Sequence, residues 1–458
     1  MDIKELYQLY QQHPQITTDS RDCPEGSIFL ALKGESFDGN KFAETALEKG
    51  CAYAIVDEDE VCQQAMANSQ RLILVDDCLQ TFKDLARHHR RQFDIPVIGI
   101  TGTNGKTTTK ELVRAVLAEC YNVMATNGNF NNDVGVPKTL FRLNDQTDIA
   151  VVEMGASHPG DIKTLVETAE PNCGLITNVG RAHLQGFGSF DGVCKTKGEL
   201  YDFLCRRECP IFVNRDNEHL MRMIDERKMR GEAKADCYYY GQSDNPDILI
   251  RGEVISCAPF LKFRWREQDA DAGYTSEWME VQTHLIGSYN LDNMLAAIII
   301  GYVNNIPFQQ INHALENYLP TNNRSQLTET EKNHLIVDAY NANPTSMKAA
   351  IDNFRLMEVS PKMAILGMMG ELGDVSQEEH QNIISLLEEA RFDEVWLVGS
   401  EFQNALGSKS SANGQVPFRM FANVDEVKAA ITQEQPQGRY ILIKGSNSVK
   451  LFQLPELL

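Results

Sequence analysis

Between the apolar run Ile95-Pro-Val-Ile-Gly-Ile100 and a helical pattern starting near Lys106 lies Gly102-Thr-Asn-Gly-Lys-Thr107. Glycines in a strand-to-helix turn let backbone N–H groups point at phosphate oxygens, a lysine adds charge, and a threonine hydroxyl can hold magnesium. The spacing departs from the general G-x-x-x-x-G-K-[ST] pattern, because Ile100 stands at the first glycine position and the glycines fall at 99, 102 and 105. A turn that merely starts a helix is the bland alternative. The strand before and the helix after favour a loop that handles a nucleoside triphosphate.

Other residues could serve the same chemistry. The strand pattern Ile149-Ala-Val-Val-Glu153 ends in a carboxylate, the group that a strand beside a phosphate loop uses to bind magnesium directly or through water. The run Gly174-Leu-Ile-Thr-Asn178 leads into Val179-Gly-Arg-Ala-His183, placing a histidine beyond another strand end; a lone histidine is equally a surface residue. The helical stretch Asp191 to Tyr201 carries Lys195 and Lys197, which by themselves read as a solvated face.

The elements that must position these groups are legible from periodicity. Residues 1–92 hold short apolar runs at 27–32, 52–56 and 71–75 separated by helical patterns, then a basic helix ending near Arg91, a small α/β domain. From Ile95, buried-strand patterns at 97–100, 149–154, 174–178 and 211–214 alternate with helices, as in a mainly parallel sheet. Residues 237–286 read as antiparallel strands appended to that sheet, and 289–303 as a helix. After a polar break at 318–323, strands at 334–338, 363–367, 394–399 and 440–444 alternate with helices at 347–357, 378–390 and 424–431. The expected domains are therefore 1–92, 93–319 and 320–458.

Composition bounds the function. With 64 acidic against 43 basic residues the formal charge is −21, which argues against sequence-independent nucleic-acid binding. The eleven cysteines lie without paired short spacing apart from Cys205-x-x-x-Cys209, which lacks a second half-site for zinc, so reduced cytosolic thiols are expected. Neither a signal peptide nor an apolar run of membrane-spanning length is read, and a cytoplasmic protein without a membrane partner is expected.

The loop at 102–107 together with Asn127-Gly-Asn-Phe-Asn-Asn132, Gly135-Val-Pro137, Glu153-Met-Gly155, His183-Leu-Gln-Gly-Phe-Gly188, Gly287-Ser-Tyr-Asn-Leu-Asp-Asn293, Asp338-Ala-Tyr-Asn-Ala-Asn-Pro344 and Lys444-Gly-Ser446 resembles the Mur ligases, over essentially the whole chain. Thr18-Asp-Ser-Arg21, Phe29-Leu-Ala-Leu-Lys-Gly34 and Tyr340-Asn-Ala-Asn343 are most similar to the branch that adds D-alanyl-D-alanine. The resemblance implies an N-terminal domain for the UDP end of the substrate, a central P-loop ATPase-like domain and a C-terminal Rossmann-like domain. It implies ATP-dependent joining of D-alanyl-D-alanine to UDP-N-acetylmuramoyl-tripeptide through an acyl phosphate and a tetrahedral intermediate, and a monomer is expected. The alternatives are a sibling ligase that adds one amino acid to a muramoyl peptide or to folate, and an ATP-binding module that ligates nothing.

The same resemblance implies residue roles. Gly102, Thr103, Asn104, Gly105 and Thr108 would cradle ATP, and Lys106 would contact its terminal phosphates. Thr107 and Glu153 would hold one Mg2+ and His183 would help hold a second. Lys197 stands where the family carries a carbamate, with Lys195 as its rival; an amine must lose its charge to ligate a cation, and a carbamate offers two anionic oxygens. Asn290 and Asn293 match adenine contacts, and Arg324 and Asp338 ribose and phosphate contacts. Ser20, Arg21, Lys33 and Gly34 match the nucleotide-sugar site, and Asn131 and Asn132 its pyrophosphate. Tyr340, Asn341 and Lys444 match the remaining substrate contacts. Two positions depart from the family: Gln185 stands in place of a glutamate and Asn447 in place of an arginine.

Overall fold

The computed structural model describes residues 1–34, 37–64, 70–231, 235–257, 259–270, 272–320, 326–406 and 418–458, all in a mixed α/β arrangement. The chain forms two compact units: residues 1–99, 123–154 and 163–171 make the first, and 100–122, 155–162 and 172–458 the second.

In the first unit, strands Ile16–Thr17, Ile28–Leu30, Tyr53–Val56 and Leu72–Leu74 make a parallel sheet in that spatial order. Three of them lie within the apolar runs at 27–32, 52–56 and 71–75. Ile16–Thr17 was not expected, since two residues carry no periodicity. Helix Ile3–Gln12 begins with a capping box between Asp2 and Glu5, and helix Cys78–Arg90 begins at Asp77, whose carboxylate accepts from Gln80 N at 2.7 Å. Phe29, Ile55, Phe82 and Leu85 are buried in the core between sheet and helices. Strand Val123–Ala125 runs parallel to Ile149–Glu153, and Ala150 N donates to Pro96 O, just before strand Val97–Thr101.

In the second unit, Thr177 N donates to Thr101 O, and Cys173–Ile176 then pairs in parallel with Ile211–Asn214. Here the sequence-based expectation needs correction. Cys237–Gly241 is parallel to Ile211–Asn214, and Ile248–Cys257 is parallel to Cys237–Gly241; antiparallel pairing begins only at Phe260–Asp269, with Met279–Ile286 beyond it. Parallel neighbours ordinarily need a long crossover. Only Tyr239 to Gly241 overlap Ile248 to Arg251, so the short loop between them returns the chain by just those few residues.

The C-terminal sheet has the order Gln326–Glu329, His334–Asp338, Tyr440–Lys444, Lys362–Gly367, Glu394–Val398 and Phe418–Phe421, parallel except for the first. Helix Leu291–Val303 is apolar nearly all round and almost wholly buried, as a helix covered on several sides must be. Among the described residues no helix is long and apolar enough to cross a membrane.

His380, in helix Ser376–Ala390, is fully buried. Its Nε2 accepts from Met369 N at 3.0 Å while Nδ1 lies 2.7 Å from Ser376 O, which requires the neutral ring protonated at Nδ1. Burial pushes its pKa below the ordinary 6.5, against the smaller pull of its bond to Ser376 and of Glu401 and Glu379. His89 is likewise depressed by burial. The unfolded chain therefore takes up these protons first: stability is full above 6.5 and is lost as pH falls through the depressed values. Urea midpoints are expected to be lower at about pH 5.5 than at about pH 7.5, with a shallower dependence in His380→Leu. A variant with the wild-type slope would remove His380 as a source.

Candidate functional site

The phosphate-loop candidate is shaped by contacts that only glycine permits. Gly102 has φ +146, and a Cβ there would stand 2.0 Å from Thr177 Oγ1; Gly105 has φ +78, and a Cβ there would stand 2.6 Å from Asn293 Oδ1. Gly105 caps helix Lys106–Leu117 and provides no side-chain acceptor for its first N–H groups, so the positive end of that dipole is left to an external anion. Thr103 N donates to Asn178 O, and Asn104 N to Asn178 Oδ1 at 3.0 Å; Asn104 O accepts from Thr177 Oγ1 at 2.6 Å and from Asn178 Nδ2 at 3.0 Å. Lys106 Nζ donates to Gly102 O at 2.8 Å and Thr103 O at 3.1 Å, which lays its ammonium across the loop. Thr107 is buried in the first turn, followed by the partly buried Thr108.

Asn290 and Asn293 are both buried behind this loop. Asn293 Oδ1 accepts from Thr109 Oγ1 at 3.0 Å, its Nδ2 donates to Asn290 Oδ1 at 2.8 Å, and Asn290 Nδ2 donates to Ile286 O at 2.8 Å. The pair thus ties helix Lys106–Leu117 to the start of Leu291–Val303. Their i, i+3 spacing placed them together; what they hold was not readable from it.

Lys197 and Lys195 are separated by the geometry of helix Phe190–Arg206. Two residues turn about 200° around a helix, so one lysine is exposed and the other is 2% exposed. The buried one is Lys197, whose Nζ lies 5.7 Å from the Phe187 ring centre. Burial, then the neighbouring Lys106 charge, pushes its pKa well below the usual 10.5, against Asp161 and Glu199.

His183 adopts φ +50, and its Nδ1 meets the Glu371 carboxylate. Burial pushes its imidazole below 6.5, with Glu371 opposing and Lys106 and Lys197 adding. Gln185 N donates to Glu371 O at 3.3 Å, and Arg181 pairs with Glu379 at 2.7 Å. The 371–379 segment therefore brings a carboxylate to the stretch where Gln185 replaces one.

Farther along, Lys444 is buried and paired with the Asp338 carboxylate on the adjacent strand, and its Nζ lies 3.4 Å from Asn341 O. Asp338, Asn341 and Lys444 are thus brought together. Tyr340 is half-buried beside them in sequence. Arg324 lies outside the described residues.

In the first unit, Glu153 is 1% exposed and its Oε1 accepts from Asn131 Nδ2 at 2.8 Å. Asn132 Oδ1 instead accepts from Gly135 N at 2.8 Å, an Asx turn that starts the helix Gly135–Leu140. Arg21 is exposed and pairs with Asp19 at 2.7 Å; Lys33 pairs with Asp57 at 2.9 Å and Glu58 at 3.1 Å. Ser20 is buried and its carbonyl accepts from Lys49 Nζ at 2.7 Å, while Gly34 is exposed with open space where a Cβ would stand.

Sequence reasoning left Thr177, Asn178, Asn343 and Glu371 without roles. Asn343 carried a usable signal, an Asn before proline with a serine three residues on, which is how helices start. For Glu371 there was none.

Among the described residues no group of three or more His, Cys, Asp or Glu side chains could hold a metal ion. Thr107 offers a buried hydroxyl in the first turn of helix Lys106–Leu117, an oxygen donor of the kind magnesium takes when phosphate and water complete its shell.

The Mur ligase catalytic domain model matches residues 14–90, the Mur ligase middle domain 100–301, and the Mur ligase glutamate ligase domain 323–447. The UDP-N-acetylmuramoyl-tripeptide–D-alanyl-D-alanine ligase of Bacillus subtilis is 31% identical over 95% of this chain and 91% of its own length. Its counterpart from Synechocystis is 33% identical over 95% and 90%. A crystal structure of MurF from Acinetobacter baumannii superposes with a TM-score of 0.84 at 28% identity, covering 99% of this chain and 97% of that one. MurF from Thermotoga maritima in complex with ADP shares the fold, with a TM-score of 0.82, 24% identity and 97% of both chains covered. The architecture is the three-domain one with a mainly parallel central sheet, and matches this long at this identity make the chain a member of the Mur ligase family.

Proposed function

We propose that this protein is an ATP-dependent ligase that joins D-alanyl-D-alanine to UDP-N-acetylmuramoyl-tripeptide, acting in the cytoplasm as a monomer. One observation carries the reading: curated relatives with this activity align over 95% of the chain. The domains 1–92, 93–319 and 320–458 take the UDP end, ATP and the dipeptide; the three family models, which end or begin at 90, 100, 301 and 323, support those limits.

A carboxylate is a poor acylating agent. The tripeptide carboxylate oxygen attacks the γ-phosphorus of ATP, releasing ADP and leaving an acyl phosphate; the dipeptide amine then adds to that carbonyl, and the tetrahedral oxyanion collapses with loss of phosphate. Backbone N–H groups of Gly102 to Thr107 orient the phosphates, with Thr103, Asn104 and Thr108 shaping the cradle, and Lys106 offsets the charge that develops on the transferred group. Magnesium, when bound, supplies further charge neutralisation, with Thr107 and Glu153 holding one ion and His183 and carbamylated Lys197 a second. Burial of Lys197 and exposure of Lys195 favour the former as the modified lysine. The imidazole of His183, depressed by burial, is neutral and able to ligate near pH 7.

Asn290 and Asn293 are assigned to the adenine side, and Arg324 and Asp338 to ribose and phosphate. Ser20, Arg21, Lys33 and Gly34 take the nucleotide sugar, and Asn131 and Asn132 its pyrophosphate. Tyr340, Asn341 and Lys444 take the remaining substrate contacts.

The test is phosphate release from ATP and Mg2+ with UDP-muramoyl-tripeptides ending in diaminopimelate or lysine. Release is expected only when D-alanyl-D-alanine is added. Release supported instead by a single amino acid or by folate would reassign the chain to a sibling ligase; nucleotide binding with no release would make it a binding module.

A further inference from the structure

The carboxamide of Asn343 is engaged at both ends. Its Oδ1 accepts from Ser346 N at 2.9 Å, the contact that caps helix Pro344–Leu356, while its Nδ2 donates to Asn104 Oδ1 at 2.8 Å. Asn343 is buried, and Asn104 is in turn fixed through its backbone to Thr177 and Asn178. A line of polar contacts thus runs from the Asp338–Asn343 segment, through the phosphate loop, to the strand end beside it. The contact is close on either side: Gly180 N donates to Thr103 Oγ1 at 2.9 Å, and a Cβ on Gly180 would stand 3.0 Å from Thr345 Oγ1.

Capping alone does not require this residue. Serine, threonine or aspartate caps a helix as well, because the cap needs only a short oxygen acceptor. A primary amide supplies that acceptor and, on its other atom, a donor for a second partner. The Asn343 amide uses both, and its donor half goes to Asn104 in the loop that cradles phosphate.

We propose that Asn343 is a positioning residue that couples the two halves of the site: through Asn104 it makes the phosphate loop and the segment bearing Tyr340 and Asn341 move together, so that occupancy of one raises affinity at the other. The proposal rests on the ligase reading above. Coupling of this kind is reciprocal, so it can be read from either ligand.

The experiment uses the full chain with Mg2+ and UDP-muramoyl-tripeptide, and measures the Kd of a non-hydrolysable ATP analogue with and without saturating D-alanyl-D-alanine. In the wild type the dipeptide is expected to tighten the nucleotide by at least about fivefold, the lower end of ordinary coupling. Asn343→Ser and Asn343→Thr keep a capping oxygen but cannot reach Asn104; their factor should fall below about twofold while their melting temperatures stay near the wild type's. A merely structural role would shift melting and leave the factor intact, and that result would overturn the proposal, as would a wild-type factor near one. Hydrogen exchange on the wild type decides the matter even if both variants fail to fold: amides of 101–108 should gain protection when the dipeptide is added, and no gain refutes the coupling. Failure of the wild type to bind the nucleotide at all would instead count against the ligase reading.

Discussion

Lys197→Ala is expected to lower dipeptide-dependent phosphate release by about 10² to 10³-fold, the scale of losing one preorganised charge-stabilising group. Acetate or another small carboxylate should restore part of it. The helix Phe190–Arg206 turns Lys195 to solvent and Lys197 into the protein. Burial together with the Lys106 charge disfavours the ammonium form of Lys197, and the neutral amine is the form that attacks carbon dioxide. On the proposed reading the product would be a carbamate, formed with loss of a proton to solvent, which would turn a hindrance to cation binding into an anionic ligand. Lys197→Ala also removes buried volume, so Lys197→Met, which fills the same space, should show the same loss with little change in melting. Lys195→Ala should remain active. If activity survives in the Lys197 variants and disappears in Lys195→Ala, the role passes to Lys195; if acetate rescues neither, the carbamate is the wrong explanation.

Lys106→Ala carries the other large effect, a loss of about 10³-fold in turnover, equivalent to roughly 4 kcal/mol of transition-state stabilisation. Its cost to folding should be much smaller. The side chain makes two hydrogen bonds to loop carbonyls, Gly102 O and Thr103 O, and such bonds contribute about 1 kcal/mol each, more when the donor is charged. Urea denaturation therefore separates the roles: a stability change of about 1 to 3 kcal/mol alongside a thousandfold loss of turnover places the effect in catalysis. Equal losses in folding and turnover, with activity regained at low temperature, would make Lys106 a structural brace instead. Lys106→Arg is expected to rescue poorly, because a planar guanidinium is a poor substitute for a compact ammonium in a turn shaped around its carbonyls.

Much of this was legible before any coordinates. The loop at 102–107 falls between a strand and a helix as read, and the buried strands 97–101, 149–153, 173–176 and 211–214 lie within a residue or two of their sequence patterns. Continuous apolar runs are visible because a strand covered on both faces has no polar side to interrupt them. Among the elements that escaped were edges such as Ile16–Thr17, Gln326–Glu329 and Phe418–Phe421, short strands whose pairing comes from the neighbour rather than from their own composition. The parallel placement of Cys237–Gly241 and Ile248–Cys257 also escaped, because strand direction depends on how a loop returns, which residue types do not record.

The sequence by itself pointed to the kind of chemistry, since glycines, a lysine and a threonine at this spacing between a strand and a helix favour a loop that handles a nucleoside triphosphate over a turn that merely starts a helix. It determined also the family and the list of residues to weigh. Tertiary structure alone decided which residues share a contact. It buried Lys197 and left Lys195 in solvent, paired Lys444 with Asp338, set Glu371 against His183, used Asn132 as a turn, and joined Asn343 to Asn104 across 239 positions. Those outcomes depend on which face of a helix is covered and which segments meet after folding. Local spacing reports the first only for the element that bears the residue, and long-range contacts leave no period in a single chain to read.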